Sequence, residues 1–195
     1  MKKLLLFLVI VLSVNVSTTF AQDDSSENVI IGYKDTEKLV FENDDDLRRW
    51  ASESKDRAIF IKKLDMIAEK RQFAEKMGYL NNDEATDKYT ESLSRDRSSK
   101  HSIRNVNPTF ALNAIFDNPE YSGSFIPFSN FMPSLLHLND KGSSIAVIIG
   151  GTVLCDNKWF GGKKIWVLGL PGITISNLAA PLWNFDNRAS SSFGF

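Results

Sequence analysis

The sequence predicts an α+β chain in which a charged, mainly helical region precedes an all-β sandwich. Three observations carry that expectation. Residues 22–108 hold 19 acidic and 16 basic side chains and 7 aromatics, whereas residues 109–195 hold 5 charges of each sign and 13 aromatics. Apolar residues recur at helical spacing between Leu47 and Met77, then at alternating spacing in the second half. A polar stretch from Ser94 to Asn105, closed by Asn107-Pro108, separates the two patterns. The expected organisation is a signal segment at 1–21, a helical region at 22–94, a linker at 95–108 and a β domain at 109–195.

The first segment reads as a secretory signal. Lys2 and Lys3 precede an unbroken apolar run from Leu4 to Leu12, and Thr19-Phe20-Ala21 offers a small-x-small cleavage pattern before Gln22. That run is about half the ~20 residues a membrane-spanning helix needs. No later run is long enough to span, and no cysteine at the cleavage point marks lipid attachment. A secreted or periplasmic location is expected. One cysteine excludes an intramolecular disulfide framework and a Cys-rich zinc site. The net charge of −1 argues against a nucleic-acid partner.

In the helical region, Asn43 is placed to cap a helix whose first turn holds Asp44, Asp45 and Asp46, favourable against the positive dipole end. Leu47, Trp50, Ala51, Ala58, Ile61, Leu64, Ala68 and Met77 continue it, and Gly78 is a stop signal. A shorter helix is expected over Asp83 to Leu93. The three aspartates read as a cap rather than an ion site, because neighbouring residues diverge around a helix. This region has the character of a docking element, an oligomerisation element or a spacer.

The β half alternates at Phe110, Leu112, Ala114 and Phe116, and again at Ile145, Val147 and Ile149. Gly150-Gly151 reads as the turn of a tight hairpin between two β-rich runs. An internal repeat lies within it. Phe116-Asp117-Asn118-Pro119-Glu120-Tyr121-Ser122-Gly123 spaces two aromatics and a glycine as Cys155-Asp156-Asn157-Lys158-Trp159-Phe160-Gly161-Gly162 does, with Cys155 in the first aromatic slot. Downstream, Asn139-Asp140-Lys141-Gly142-Ser143-Ser144 matches Asp186-Asn187-Arg188-Ala189-Ser190-Ser191 as Asx-Asx-basic-small-Ser-Ser. The octads suit a folded hairpin, with aromatics packed across the bend and glycine relieving the backbone. The hexads set Asx side chains, carbonyls and hydroxyls along a tight loop, a ligand set for a hard cation such as Ca²⁺. A single hexad would read as a local Asx turn; two, each paired with a hairpin, point to ion binding.

These residues resemble the βγ-crystallin family in its calcium-binding microbial branch, over 109–195. The resemblance implies two Greek keys forming one sandwich with two Ca²⁺ sites at one end, each hexad serving both. One site would use the carbonyl of Lys141, the hydroxyl of Ser143 and the side chain of Asn187. The other would use the carbonyl of Arg188, the hydroxyl of Ser190 and the side chain of Asp140. Asn139 and Asp186 are expected to brace the loops and remain candidate ligands, and the carbonyls of Pro119 and Lys158 are further candidates. Three departures from the family pattern bear on this. Gly142 and Ala189 replace larger apolar residues and should loosen the loops. Cys155 should leave the second hairpin less well folded. The 24-residue gap from Gly162 to Asp186, against 16 from Gly123 to Asn139, implies an inserted loop around Pro171 to Pro181.

No catalytic constellation is visible, and a non-enzyme is expected. Cys155 and His137 do not make a thiol site, since Cys155 falls at a packing position, and His101 lies in the linker. No Gly-x-Ser-x-Gly elbow and no phosphate loop occur. The expected role is structural or binding, in the envelope or outside the cell. The alternative is a secreted protease inhibitor or toxin-like effector contacting its target through the Pro171–Pro181 loop. Glycan adhesion would call for exposure of Trp159, Trp166 or Trp183.

Overall fold

The computed structural model describes residues 27–33, 36–100, 113–128, 131–148, 150–168, 173–181 and 184–194. The expected signal segment and residues 101–108 of the expected linker lie outside them. The region expected to be mainly helical begins with two strands, β1 (Asn28–Tyr33) and β2 (Thr36–Phe41), paired antiparallel from Asn28 opposite Phe41 to Tyr33 opposite Thr36. Three consecutive apolar residues, Val29, Ile30 and Ile31, are all buried, as in a strand covered on both faces. That continuous pattern is why no alternation announced them.

Three helices follow. α1 (Asp44–Ser52) starts where the capping signal stands, with Asn43 Oδ1 accepting the Asp46 amide at 2.9 Å. The expected single helix through Met77 breaks at Glu53 and Ser54, where Ser54 is extended; a 3₁₀ turn at Lys55–Arg57 then leads into α2 (Ala58–Lys76). α2 ends at Gly78, with φ +71°. There the amides of Gly78 and Tyr79 bond back to the carbonyls of Glu75 and Ala74 at 3.0 and 2.8 Å. α3 (Asp83–Lys100) runs further than Leu93, so the first residues of the expected linker are helical.

The remaining strands are β3 (Asn113–Asn118), β4 (Ser122–Phe128), β5 (Phe131–Met132), β6 (Ser144–Val147), β7 (Gly151–Asn157), β8 (Gly161–Leu168), β9 (Ile173–Ile175) and β10 (Ser191–Gly194). They form a four-stranded sheet ordered β4-β3-β6-β9 and a six-stranded sheet ordered β2-β1-β8-β7-β10-β5. Each set of four consecutive strands lends its third strand to the other sheet: β5 pairs with β10, and β9 pairs with β6. The result is a Greek-key sandwich. β1 adds to it in parallel, Val29 opposite Ile165 and Ile31 opposite Val167.

The inner strands β1, β7 and β8 of the six-stranded sheet are buried on both faces. Val29, Leu154, Ile165 and Val167 point toward the four-stranded sheet and join Ile115, Ile145 and Val147. Ile30, Val153, Cys155 and Trp166 point the other way and meet Leu47, Phe60, Leu64 and Ile67 of the helices. Three layers therefore stack, two sheets and a helical layer. A polar contact fixes the third layer. Lys164, 3% exposed, donates to Asp44 Oδ1 at 2.9 Å; Asn28 Nδ2 donates to the same oxygen at 2.8 Å, and Trp166 Nε1 donates to Asn28 Oδ1 at 2.8 Å. A lysine this buried needs such a partner. Asp44 is thus an anchor as well as a first-turn acid.

Three local expectations change. Gly150-Gly151 does not close a hairpin, because β6 and β7 lie in different sheets, and Gly150 (φ +80°) serves the crossing between them. In β3 the buried positions are Asn113 and Ile115, while Ala114 and Phe116 face outward. The Pro171–Pro181 segment is not loop throughout, since it contains β9, whose residues Ile173 to Ile175 pair with Val147 to Ile145; residues 176–181 hold turns and bends.

Candidate metal centre

The two octads are folded hairpins of the same design. Glu120 and Tyr121 have φ of +55° and +56°, and their counterparts Trp159 and Phe160 have +54° and +63°. Left-handed backbone at four bulky residues is strained and persists only where surroundings hold it. The sixth residue of each hexad holds it. Ser144 Oγ donates to the Asn118 carbonyl at 2.7 Å and accepts the Tyr121 amide at 3.2 Å. Ser191 Oγ donates to the Asn157 carbonyl at 2.6 Å and accepts the Phe160 amide at 2.9 Å. The second hairpin is folded as fully as the first, contrary to the expectation from Cys155. Phe116 packs edge-on against Tyr121 in one copy; in the other, Cys155 lies under the helical layer, where that layer supplies the bulk. The stapling roles of Ser144 and Ser191 were visible only as matched letters in the repeat.

The two hexads meet across a local two-fold. The Asp140 amide donates to the Ala189 carbonyl at 3.0 Å, and the Asn187 amide donates to the Gly142 carbonyl at 3.1 Å. Asp140 and Asn187 both adopt left-handed backbone, with φ of +55° and +52°. This meeting explains the small fourth residues, which tighten the loops rather than loosen them. A β-carbon on Gly142 would come within 2.3 Å of Ile115 Cδ1 and 3.2 Å of the Ala189 β-carbon.

The crossing brings together the side chains and carbonyls that the hexads offer. In the first set, Ser143 Oγ lies 3.5 Å from the Lys141 carbonyl and 3.5 Å from Asn187 Oδ1. Two oxygens each ~2.4 Å from a calcium ion and at right angles to one another are about 3.4 Å apart, so this spacing suits the ion. In the second set, Ser190 Oγ donates to Asp140 Oδ1 at 2.5 Å. Asn139 Nδ2 donates to Asp140 Oδ2 at 2.8 Å, and Asn187 Nδ2 donates to Asp186 Oδ2 at 3.1 Å. The first residue of each hexad therefore braces its neighbour. The remaining oxygens, Asn139 Oδ1 and Asp186 Oδ1, are buried without a hydrogen-bond partner. Buried acceptors left so are costly, and a cation would satisfy them. The donor set fits Ca²⁺: neutral and anionic oxygens, neither nitrogen nor sulfur. Among the described residues, no three His, Cys, Asp or Glu side chains converge as a metal site. The Pro119 carbonyl accepts Ser122 Oγ at 2.9 Å, and the Lys158 ammonium pairs with Asp87 at 3.1 Å and Asp83 at 3.3 Å.

The surroundings of the two copies differ. Arg188 holds Asp156 through two hydrogen bonds, one at 3.0 Å from Nε to Oδ1 and one from Nη2 to Oδ2. Trp159 is 1% exposed and stacks on Tyr79 at 5.6 Å and 5° and on Tyr89 at 5.6 Å and 24°. Its Nε1 donates to Thr86 Oγ1 at 2.9 Å, and Arg71 donates to its carbonyl at 3.2 Å. Trp166 is fully buried as well, so neither tryptophan offers a surface to a glycan, and Trp183 lies outside the described residues. Burial pushes the Cys155 thiol up to about 12, which keeps it protonated.

No family model matches the sequence, and no curated protein matches it. Part of the chain is similar to βγ-crystallin domains. A βγ-crystallin from an archaeon aligns at 23% identity over 44% of this chain and 99% of its own, with a TM-score of 0.39. A βγ-crystallin from Ciona intestinalis aligns at 24% identity over 43% and 99%, with a TM-score of 0.38. A βγ-crystallin domain from Flavobacterium johnsoniae aligns at 19% identity over 43% and 92%, with a TM-score of 0.35.

Proposed function

We propose that this is a secreted or periplasmic calcium-binding protein of structural or binding role, taking two Ca²⁺ ions at the crossed hexads. The observation that carries the reading is the placement of Ser143 Oγ 3.5 Å from both the Lys141 carbonyl and Asn187 Oδ1, with Ser190 and Asp140 meeting in the same way across the local two-fold. The hexads would hold the ions, and an ion would supply charge neutralisation that ties both loops to one centre. The chain's own residues do the rest. Ser144 and Ser191 keep the hairpins folded beside the loops, Asn139 and Asp186 orient the acceptor side chains, and Gly142 and Ala189 let the loops touch. Export is supported by the basic start, apolar run and small-x-small end of residues 1–21. No helix among the described residues is long and apolar enough to cross a membrane. The alternative, a secreted protease inhibitor or toxin-like effector, would use the turns at residues 176–181 that follow β9.

With one carboxylate or none among each site's three assigned ligands, affinity is expected at roughly 10⁻⁵ to 10⁻³ M, the range of extracellular modules and weak sensors. Binding to the folded form alone stabilises it by about 2.7 kcal/mol per site at a hundredfold excess over Kd. That corresponds to a rise in melting temperature of about 5–10 °C for a chain of this size. Thermal melting with and without Ca²⁺ tests it: the wild-type protein rises, and the Asp140→Ala, Ser190→Ala variant rises by half or less. An unchanged melting temperature at 10 mM Ca²⁺ would overturn the reading.

A further inference from the structure

The two sets of ligands are unequal in charge. The side chain crossing into the second set is a carboxylate, Asp140, and the one crossing into the first is an amide, Asn187. The hairpins carry the opposite imbalance. Asp117 and Asp156 hold the same place in the two octads, directly after Phe116 and Cys155, whose carbonyls accept the Ser143 and Ser190 amides at 2.8 and 2.9 Å. Each aspartate therefore follows the residue that bonds to the fifth position of its own hexad. Asp117 sits at the irregularity in the β3–β4 register between Phe116 and Asn118, two residues after Ile115, whose side chain lies against Gly142.

The two aspartates are used differently. Asp156 is held by the guanidinium of Arg188, the third residue of the second hexad. Asp117 has no such arginine: its Oδ1 is buried with no hydrogen-bond partner. Glycine makes room for that oxygen: a β-carbon on Gly123 would lie 2.0 Å from it. A buried, unpaired carboxylate oxygen is a costly thing to build, and the cost is removed by a cation beside it. Neither composition nor the hexad pattern distinguishes Asp117 from Asp156; only the partner of one and the lack of a partner for the other does.

We propose that Asp117 is the anionic ligand of the first site, supplying the charge that Asn187 lacks and making the Lys141–Ser143–Asn187 site the tighter of the two. This rests on the calcium reading above. Asp117 then gives the first site a carboxylate, as Asp140 gives the second. The first site is also the more open, with oxygens 3.5 Å apart, whereas an ion entering the second must break the 2.5 Å bond between Ser190 and Asp140.

The test is calorimetric titration of the full chain with Ca²⁺, in wild type, Asp117→Asn, and Asp117→Asn combined with Asn187→Asp. The wild type is expected to show two unequal steps. Asp117→Asn weakens the tighter step tenfold or more and leaves the weaker one in place, and the added Asn187→Asp recovers most of the loss. The carboxyl-carbon resonance of Asp117 in the wild-type protein gives a readout that needs no variant, and it should shift in step with the tighter site. Two unchanged steps in Asp117→Asn, or a resonance that Ca²⁺ does not move, would overturn the assignment of Asp117 while leaving two-ion binding intact. A wild type that releases no heat would instead overturn the calcium reading itself.

Discussion

The two hairpins of the sandwich share one local grammar and live in opposite surroundings. The first stands open: Phe116 and Tyr121 are half-buried, and Phe125 beside them is 56% exposed. The second is roofed by the helical layer, with Trp159 at 1% and Phe160 at 0% exposure. Both keep the same left-handed backbone pair and the same serine staple. The hairpin conformation is therefore written locally, in the aromatic-glycine spacing and the distant serine. The burial of its aromatics is written elsewhere, by α2, α3 and the turn between them over Trp159, and by Phe131 and Phe193 around Phe160. That separation lets one copy contribute a surface and the other a docking platform without altering the loops that bring the hexads together.

The largest effect that would break or sharpen this comparison comes from the aromatics themselves. Trp159→Ala is expected to cost about 4 kcal/mol and Phe116→Ala about 2 kcal/mol or less, by urea denaturation, because only the former leaves a cavity inside a closed layer. Equal losses would mean that the roof adds nothing. Next, Asp44→Ala leaves the Lys164 ammonium buried without its carboxylate, and a loss of about 3 kcal/mol is expected. Replacing Lys164 by Met in the same chain should recover part of it, whereas a loss under 0.5 kcal/mol would show that the helical layer is held by apolar packing alone. The smallest effect is chemical. With its pKa pushed from 9.0 to about 12, the Cys155 thiol should resist Ellman's reagent at pH 8 in the folded protein and react once unfolded. Since the unfolded thiol ionises first, its contribution to stability is intact below pH 9 and is lost between there and pH 12. Rapid reaction of the folded chain would place Cys155 at an open surface, and with it the second hairpin.

Much of the sandwich was legible because its signals are local or repeated. The aromatic-glycine octads, the Asx-Asx-basic-small-Ser-Ser hexads and the capping Asn43 each act within a few residues, and the repeat supplied a second copy against which to read the first. Strand partnership was not legible. Gly150-Gly151 has a hairpin's composition and makes a crossing between sheets, because which sheet a strand joins is decided by long-range packing. Nor did Val29-Ile30-Ile31 declare a strand, since a segment buried on both faces has no alternation. At the candidate site, the eight hexad residues could be named from spacing and resemblance, but the roles of Gly142 and Ala189 could not. Their small size looked like a defect until the two loops were seen to touch. The difference between Asp117 and Asp156 was equally hidden, because it lies in Arg188 reaching one of them across 32 residues.

Calcium binding by the crossed hexads is the central claim, and titration calorimetry of the intact chain against Ca²⁺ tests it most directly. The expected result is saturable heat at two ions per chain, with dissociation constants of roughly 10⁻⁵ to 10⁻³ M, and loss of one ion on Asn187→Ala. Heat that does not saturate, or a stoichiometry untouched by Asn187→Ala, would contradict it.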